Sequence, residues 1–170
     1  MQLAYVSLPG RGATDALLAE VVARIRARGM VPAGTVQTNP PCEGRDTCDM
    51  DVHVLPDGPV LRISQNLGAH ARGCRLDSAA LETAVAEAAA RLDGADLLVV
   101  NKFGKQEAEG RGFVPVIAAA LDRGLPVLVG VNALNLPAFE VFAADLARPL
   151  PADPDAMALW AAAAVLSDAA

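Results

Sequence analysis

Short runs of β-forming apolar residues alternate with longer helical patterns along this chain of 170 residues. Residues 2–8 are apolar and stop at Pro9-Gly10, which predicts a buried strand, and residues 13–29 carry apolar side chains at helical spacing. Residues 33–38 then predict a second strand. A strand, a tight glycine turn, a helix and a strand form the opening unit of a parallel sheet. The sequence therefore predicts an α/β protein.

The middle of the chain predicts a β-hairpin inserted into this alternation. Residues 51–55 and 60–63 alternate apolar and polar side chains around a Pro-Asp-Gly-Pro turn. The remaining patterns predict buried strands over 96–100 and 125–131 and helices over about 78–92, 113–123, 136–147 and 154–167. We expect one domain over residues 1–170, built as a mostly parallel sheet between two helical layers.

Composition excludes several classes of protein. The net charge of −6 excludes a generally basic nucleic-acid binder, and an aromatic content of 4% argues against a base-stacking platform. The apolar runs end well before the length of about 18 residues that a membrane helix needs. The first residues resemble no signal peptide, so we expect a cytoplasmic protein. Its three cysteines, Cys42, Cys48 and Cys74, are expected to be reduced thiols, and their spacing matches no zinc motif, so no metal site is predicted.

The loop between the first strand and the first helix is one candidate anion site. Ligands of open α/β sheets sit beyond the carboxyl ends of the strands, and glycines before a helix let backbone N–H groups surround an anion. The P-loop pattern is only half met, because Ser7 stands where the first glycine belongs and Ala13 where the lysine belongs. The alternative is a plain turn whose glycines merely permit the bend. The candidate ligand-binding residues of this loop are Gly10, Arg11, Gly12 and Thr14.

Residues 101–112, which follow the strongest predicted strand, form a second candidate site. They contain both lysines of the protein together with three glycines. Lysines at a strand end bind anions as point charges, and the neighbouring glutamates fit ion-pair partners, a base or a metal ligand. The alternative is a solvated charged loop. We expect this loop to meet the glycine loop at one pocket, since both follow parallel strands. The candidate residues are Asn101, Lys102, Lys105, Glu107 and Arg111.

A third candidate is the arginine-rich stretch 62–77, which fits either a lid over an anion or an exposed loop before a helix. Its candidate ligand-binding residues are Arg72 and Arg75. Cys74 beside these arginines raises the idea of a nucleophile, but a packed thiol is the favoured interpretation.

Three segments carry a resemblance to a known family. They are Gly73-Cys74-Arg75-Leu76-Asp77, the long motif Val100-Asn101-Lys102-Phe103-Gly104-Lys105-Gln106-Glu107-Ala108-Glu109-Gly110-Arg111-Gly112, and Gly124-Leu125-Pro126-Val127-Leu128. Over nearly the whole chain the sequence resembles an uncharacterised bacterial family called nucleoside-triphosphatase-like. This resemblance implies a P-loop-like topology. It also implies a role related to molybdate or tungstate, because members of the family are linked to molybdenum uptake.

Two departures from a working P-loop enzyme favour binding over catalysis. Ala13 replaces the phosphate-binding lysine, and Asn101 replaces the acidic residue that helps to hold Mg²⁺. We therefore expect the protein to bind a small oxyanion or a phosphate-bearing ligand, with a nucleotide as one candidate cofactor. A divergent nucleoside triphosphatase or phosphotransferase and a ligand-free regulatory protein stay open as alternatives. The predicted partner is a small anionic ligand, not a nucleic acid or a membrane, and a homo-oligomer stays open.

Overall fold

Seven strands form one sheet in the computed structural model, which describes residues 2–40, 49–65 and 76–168. The strands are β1 (Leu3–Val6), β2 (Pro32–Thr38), β3 (Asp51–Leu55), β4 (Val60–Arg62), β5 (Leu97–Phe103), β6 (Val127–Val131) and β7 (Ala147–Pro149). Their order across the sheet is β4-β3-β2-β5-β6-β1-β7. Strands β2, β5, β6, β1 and β7 are parallel, and the β3–β4 hairpin joins the edge of β2 in antiparallel pairing. The predicted mostly parallel sheet with an inserted hairpin is confirmed.

Helices cover both faces of this sheet. They are α1 (Ala13–Ala27), α2 (Ser78–Ala89), α3 (Lys105–Ala108), α4 (Val114–Asp122), α5 (Leu136–Ala143) and α6 (Pro154–Asp168). Helices α1 and α6 pack on one face in a core that includes Leu18, Val99 and Met157. Helices α2, α4 and α5 cover the other face around Val100 and Phe139. Both faces of the central strands are thus buried, which explains their continuous apolar runs, and the three-layer α/β architecture is confirmed.

A close approach between β2 and β5 depends on one glycine. A Cβ atom at Gly34 would lie 1.9 Å from the carbonyl oxygen of Val99, and the backbone φ of Gly34 is +107°. Only glycine accommodates both the contact and this conformation. Gly34 therefore lets β2 pair with β5 and brings the carboxyl ends of these strands together.

The structure corrects several predicted boundaries near the carboxyl edge. Strand β5 continues to Phe103, beyond the predicted end at residue 100, because Phe103 pairs with Val131 of β6. The predicted helix over 136–147 ends at Ala143, because Ala144 adopts a φ of +46°, which a helix cannot continue. A 3₁₀ turn and the short strand β7, which the apolar pattern did not predict, follow it.

Some predicted features fall outside the part of the chain that the structure describes. They are the candidate ligand residues Arg72 and Arg75 and the three cysteines, Cys42, Cys48 and Cys74. Within the described residues, no helix has both the length and the apolar character that crossing a membrane requires.

Candidate functional site

The two loops that were predicted to meet do lie at the same edge of the sheet. Strands β1 and β5 are both parallel to β6, which lies between them. Gly130 of β6 lets the start of α1 and the end of β5 lie close to each other. A Cβ atom there would lie 2.3 Å from the carbonyl oxygen of Asn101 and 3.0 Å from Cγ2 of Thr14. The start of α1 and the end of β5 are therefore neighbours across one glycine of the intervening strand.

The glycine loop, residues 7–12, leads into α1 with its backbone turned by two glycines. Gly10 and Gly12 have φ angles of +95° and +79°. Thr14 fixes the loop from inside the helix, since its Oγ1 accepts a hydrogen bond of 3.2 Å from the backbone N–H of Leu8. No side chain among the described residues caps the N-terminus of α1. Its first N–H groups and the associated helix dipole therefore face this edge of the sheet.

Arg11, at the tip of the glycine loop, differs from the other cations of the site. It is exposed, and within the described ranges no ion-pair or hydrogen-bond partner is found for it. An unpaired guanidinium beside a helix N-terminus adds to the positive potential there.

Asp15, in the first turn of α1, is the centre of a buried polar network that the sequence did not predict. Its side chain is 4% exposed. The amide of Asn101 donates to Asp15 Oδ1 at 2.9 Å, and the amide of Asn39 donates to Asp15 Oδ2 at 3.1 Å. Gln37 Nε2 lies 3.4 Å from the same oxygen. Lys102 Nζ lies 3.2 Å from Oδ1 and 3.3 Å from Oδ2. We call these five residues the Asp15 network.

Asn101 has a structural position inside this network. It is buried, and its Oδ1 accepts a hydrogen bond of 2.8 Å from the backbone N–H of Gln37 while its Nδ2 donates to Asp15. Both the oxygen and the nitrogen of the Asn101 side chain are therefore hydrogen-bonded, and these bonds join β5 to β2 and to α1.

The two lysines occupy different surroundings. Lys102 reaches the Asp15 network. The Lys105 side chain is instead 84% exposed, and its Nζ lies 3.9 Å from a carboxylate oxygen of Glu109, the residue that follows α3. Arg111 also pairs with Glu109 and donates to Gln106 Oε1 at 2.8 Å. The structure therefore brings Lys102 to the start of α1 and leaves Lys105 and Arg111 in local pairs.

Glu107 holds the two ends of the 104–113 segment together. Its buried carboxylate accepts hydrogen bonds from the backbone N–H of Gly104 at 2.9 Å and of Phe113 at 3.1 Å. A Cβ atom at Gly112 would lie 2.2 Å from Glu107 Oε1, so the turn fits closely around this side chain. The geometry gives Glu107 a role in shaping the loop.

The residues at this edge do not fit a magnesium-nucleotide site of the usual kind. Ala13 supplies no cation, and the Asn101 side chain is an amide already bonded at both ends. Magnesium sites in phosphoryl-transfer enzymes need a carboxylate and a hydroxyl near the phosphates. Asp15 is the one carboxylate in the Asp15 network, and three amide groups and Lys102 surround it. Elsewhere in the described ranges, no group of three or more His, Cys, Asp or Glu side chains is arranged to hold a metal ion.

Comparison with known proteins places the chain in a family. Residues 3–160 match the family described as "Protein of unknown function (DUF2478)". The chain belongs to this family. A curated relative of the chain is the molybdenum import ATP-binding protein ModC 2 of Bradyrhizobium diazoefficiens, which is 34% identical over 147 residues. The match covers 86% of this chain but only 16% of the relative, so the chain spans a small part of that protein's length.

Two solved structures share the fold. One is the solution structure of a human cancer-related nucleoside triphosphatase, with a TM-score of 0.59 and 18% identity, covering 98% of this chain and 97% of that one. The other is the crystal structure of THEP1 from the hyperthermophile Aquifex aeolicus, with a TM-score of 0.53, 17% identity and 91% coverage of both chains. The family member described here therefore has a P-loop-NTPase-like fold, as the resemblance implied.

Proposed function

We propose that this protein binds a small oxyanion, or the phosphate group of a small ligand, at the glycine loop. One observation carries the proposal. Two glycines with positive φ stand directly before a helix N-terminus that no described side chain caps, at the carboxyl edge of a parallel sheet. Backbone N–H groups in this arrangement bind anions because the helix dipole and the unsatisfied donors act together.

Two side chains supply cationic charge in place of the missing lysine at position 13. Arg11 lies on the loop itself, and Lys102 reaches the first turn of α1 from the end of β5. Arginine suits planar recognition of oxygens, and lysine acts as a compact point charge. We assign these two residues to the ligand, and we assign Lys105 and Arg111 to the charged surface of the 104–113 segment.

Molybdate and tungstate are the first anions to test. The curated relative that shares 34% identity with the chain is named as a molybdenum import protein. Tetrahedral oxyanions of this size suit a concave group of N–H donors next to a cation. Nucleotides form the second group of test ligands, because the fold is that of P-loop NTPases.

Binding is favoured over catalysis by the same residues. Phosphoryl transfer depends on positioning and on electrostatic stabilisation of the transferred group. Ala13 and Asn101 remove a cation and a metal-binding carboxylate from the places where that stabilisation is normally supplied. A divergent triphosphatase or phosphotransferase is retained as an outcome of the test.

The test is a thermal-denaturation panel of molybdate, tungstate, sulfate, phosphate, AMP, ATP and GTP, with and without Mg²⁺. An anion present at 100 times its dissociation constant stabilises the fold by about 2.7 kcal/mol, which raises the melting temperature of a chain of this size by about 5–10 °C.

Arg11→Ala and Arg28→Ala form a matched pair for this panel. Arg28 is also exposed, but it follows the other end of α1, a helix of 15 residues. We expect Arg11→Ala to reduce the ligand-induced shift and Arg28→Ala to leave it unchanged. If no anion in the panel raises the melting temperature of the parent protein, the proposal fails and the ligand-free alternative takes its place.

A further inference from the structure

The Asp15 carboxylate is fixed in place by neutral donors as well as by Lys102. Amide groups of Asn101 and Asn39 donate to it at 2.9 and 3.1 Å, and Gln37 Nε2 lies 3.4 Å away. A buried carboxylate needs such partners, and here it retains them even if the lysine leaves. Asp15 is therefore an immobile negative charge at the start of α1.

Lys102 is the movable member of the ion pair. Its side chain is 37% exposed, against 4% for Asp15. A lysine ammonium is a strongly hydrated point charge on a flexible stem of four carbons, so it can exchange partners without disturbing the core. In this structure both oxygens of Asp15 lie within 3.3 Å of Lys102 Nζ.

The ion pair adjoins the glycine loop. A Cβ atom at Gly12 would lie 3.4 Å from Asn39 Nδ2, the atom that donates to Asp15. Asp15 itself lies in the first turn of α1. An anion at the N-terminus of α1 therefore arrives beside a lysine that already has a negatively charged partner.

We propose that Asp15 and the bound anion compete for Lys102, and that this competition lowers the affinity of the site for every anion, so that only dianions bind measurably. The inference rests on the proposed function. When Lys102 turns from Asp15 to an anion of one charge, one ion pair replaces another, and the electrostatic free energy of binding is small. An anion of two charges attracts the ammonium more strongly than the single carboxylate does. The site thus takes tetrahedral dianions, or phosphate monoesters in their dianionic form.

The two lysines of the chain make the exchange directly observable by NMR. Protein labelled with ¹³C,¹⁵N-lysine gives side-chain signals from Lys102 and Lys105 alone, and Lys105, paired with Glu109 on the neighbouring segment, is the internal control. The two probes are sodium molybdate and sodium perchlorate, tetrahedral anions of two and one charges, added at constant ionic strength and pH 7.5. Melting temperatures are recorded on the same samples.

We expect molybdate to shift the Lys102 signals and to leave those of Lys105 in place, while perchlorate at the same concentration moves neither. Asp15→Asn removes the competing charge, so it should tighten molybdate binding by about tenfold and make perchlorate binding measurable. Asp155→Asn is its matched control. Asp155 is also an acid in the first turn of a helix, paired with Arg24 on the outer surface, and its substitution should change neither affinity.

The outcomes separate this inference from the proposed function. If molybdate raises the melting temperature while the Lys102 signals stay in place, or while Lys105 shifts instead, the competition is refuted and anion binding stands. The competition is also refuted if perchlorate binds the parent protein as tightly as molybdate. If neither anion changes the melting temperature or the lysine signals, both proposals fail. The spectra of the parent protein decide the matter even if Asp15→Asn does not fold.

Discussion

Asn101→Asp is the substitution that tests the Asp15 network most directly. It keeps the shape of the side chain and restores an acidic group where a P-loop enzyme carries one. In the structure, however, Asn101 Nδ2 donates to Asp15 Oδ1 at 2.9 Å. The substitution replaces this donor with a carboxylate oxygen at the same distance, so two negative charges face each other in a buried site. The simple expectation that an acid here improves binding of magnesium and nucleotide therefore conflicts with the geometry.

The expected penalty follows from the distance and from the pH. Two unit charges about 3 Å apart repel by about 6 kcal/mol at an effective dielectric constant of about 20. The protein avoids this repulsion by protonating the introduced carboxyl group. Protonating a group with an ordinary pKa of about 3.9 at pH 7.5 costs about 5 kcal/mol, and at pH 4.5 it costs about 1 kcal/mol. Lys102 offsets part of the repulsion, so we expect a loss of about 3–5 kcal/mol at pH 7.5.

The sign of the pH dependence is fixed by the direction of the pKa change. The carboxyl introduced at position 101 has its pKa raised in the folded state, because Asp15 lies beside it. Stability relative to the parent is therefore retained below the unfolded pKa, where the group is protonated and donates to Asp15 as the amide did. It is lost as the pH rises through the folded pKa.

Urea denaturation of the parent and the variant at pH 4.5 and pH 7.5 measures this difference. Asn39→Asp is a graded control, because Asn39 contacts the same carboxylate at 3.1 Å but is exposed, and solvent should reduce its penalty to about 1 kcal/mol or less. Asn135→Asp adds the same charge where the described residues provide no side-chain partner, and its effect should stay within about 0.5 kcal/mol. An equal penalty for Asn101→Asp at both pH values would refute the reasoning.

Three further predictions concern the scaffold and the chemistry. Gly34→Ala should lose at least about 3 kcal/mol in urea denaturation, because its Cβ would lie 1.9 Å from the Val99 carbonyl oxygen, whereas Gly29→Ala, at a similar positive φ in open space, should lose about 1 kcal/mol. Glu107→Gln should lose about 1–3 kcal/mol and accelerate hydrogen exchange of the loop amides it accepts from; unchanged exchange would contradict its structural role. Purified protein should hydrolyse ATP or GTP no faster than a background control, and magnesium-dependent turnover that Lys102→Ala abolishes would overturn the assignment of binding over catalysis.

The layered fold was predictable because its central strands are buried on both faces. Strand β5 begins with the apolar run Leu97-Leu98-Val99-Val100, which is typical of parallel sheets. Its last residues were assigned to a loop because Asn101 and Lys102 interrupt that run. Their place in the strand depends on the pairing of Phe103 with Val131 and on the contacts of Asn101 with α1 and β2, which no local pattern reports. The short β7 also lacks an apolar alternation, and its place in the sheet depends on its parallel pairing with β1.

The sequence identified the edge of the sheet where the candidate site lies but missed its central residue. An aspartate in the first turn of a helix is common, because its negative charge is stabilised by the helix dipole. The sequence alone therefore offered no reason to predict a special role for Asp15. A usable signal was present in Gln37 and Asn39, polar residues at the end of β2, at the same edge as Asn101. The two lysines were indistinguishable by sequence, because only the extension of β5 shows that Lys102 belongs to the strand and Lys105 to the helix after it.

The Asp15 network joins residues that the ribosome adds at very different times. Asp15 and Asn101 are 86 positions apart, and Gln37 and Asn101 are 64 apart. At about 5–20 residues per second, a ribosome adds residue 101 about 4–17 s after residue 15. Without β5, α1 cannot take its final position unless it buries a carboxylate that lacks its donors Asn101 and Lys102. When β5 does arrive, a slip of one residue against β2 would turn Asn101 to the opposite face and leave the charge unmatched. The bonds of Asn101 at the candidate site therefore also favour the native register of β5 against β2.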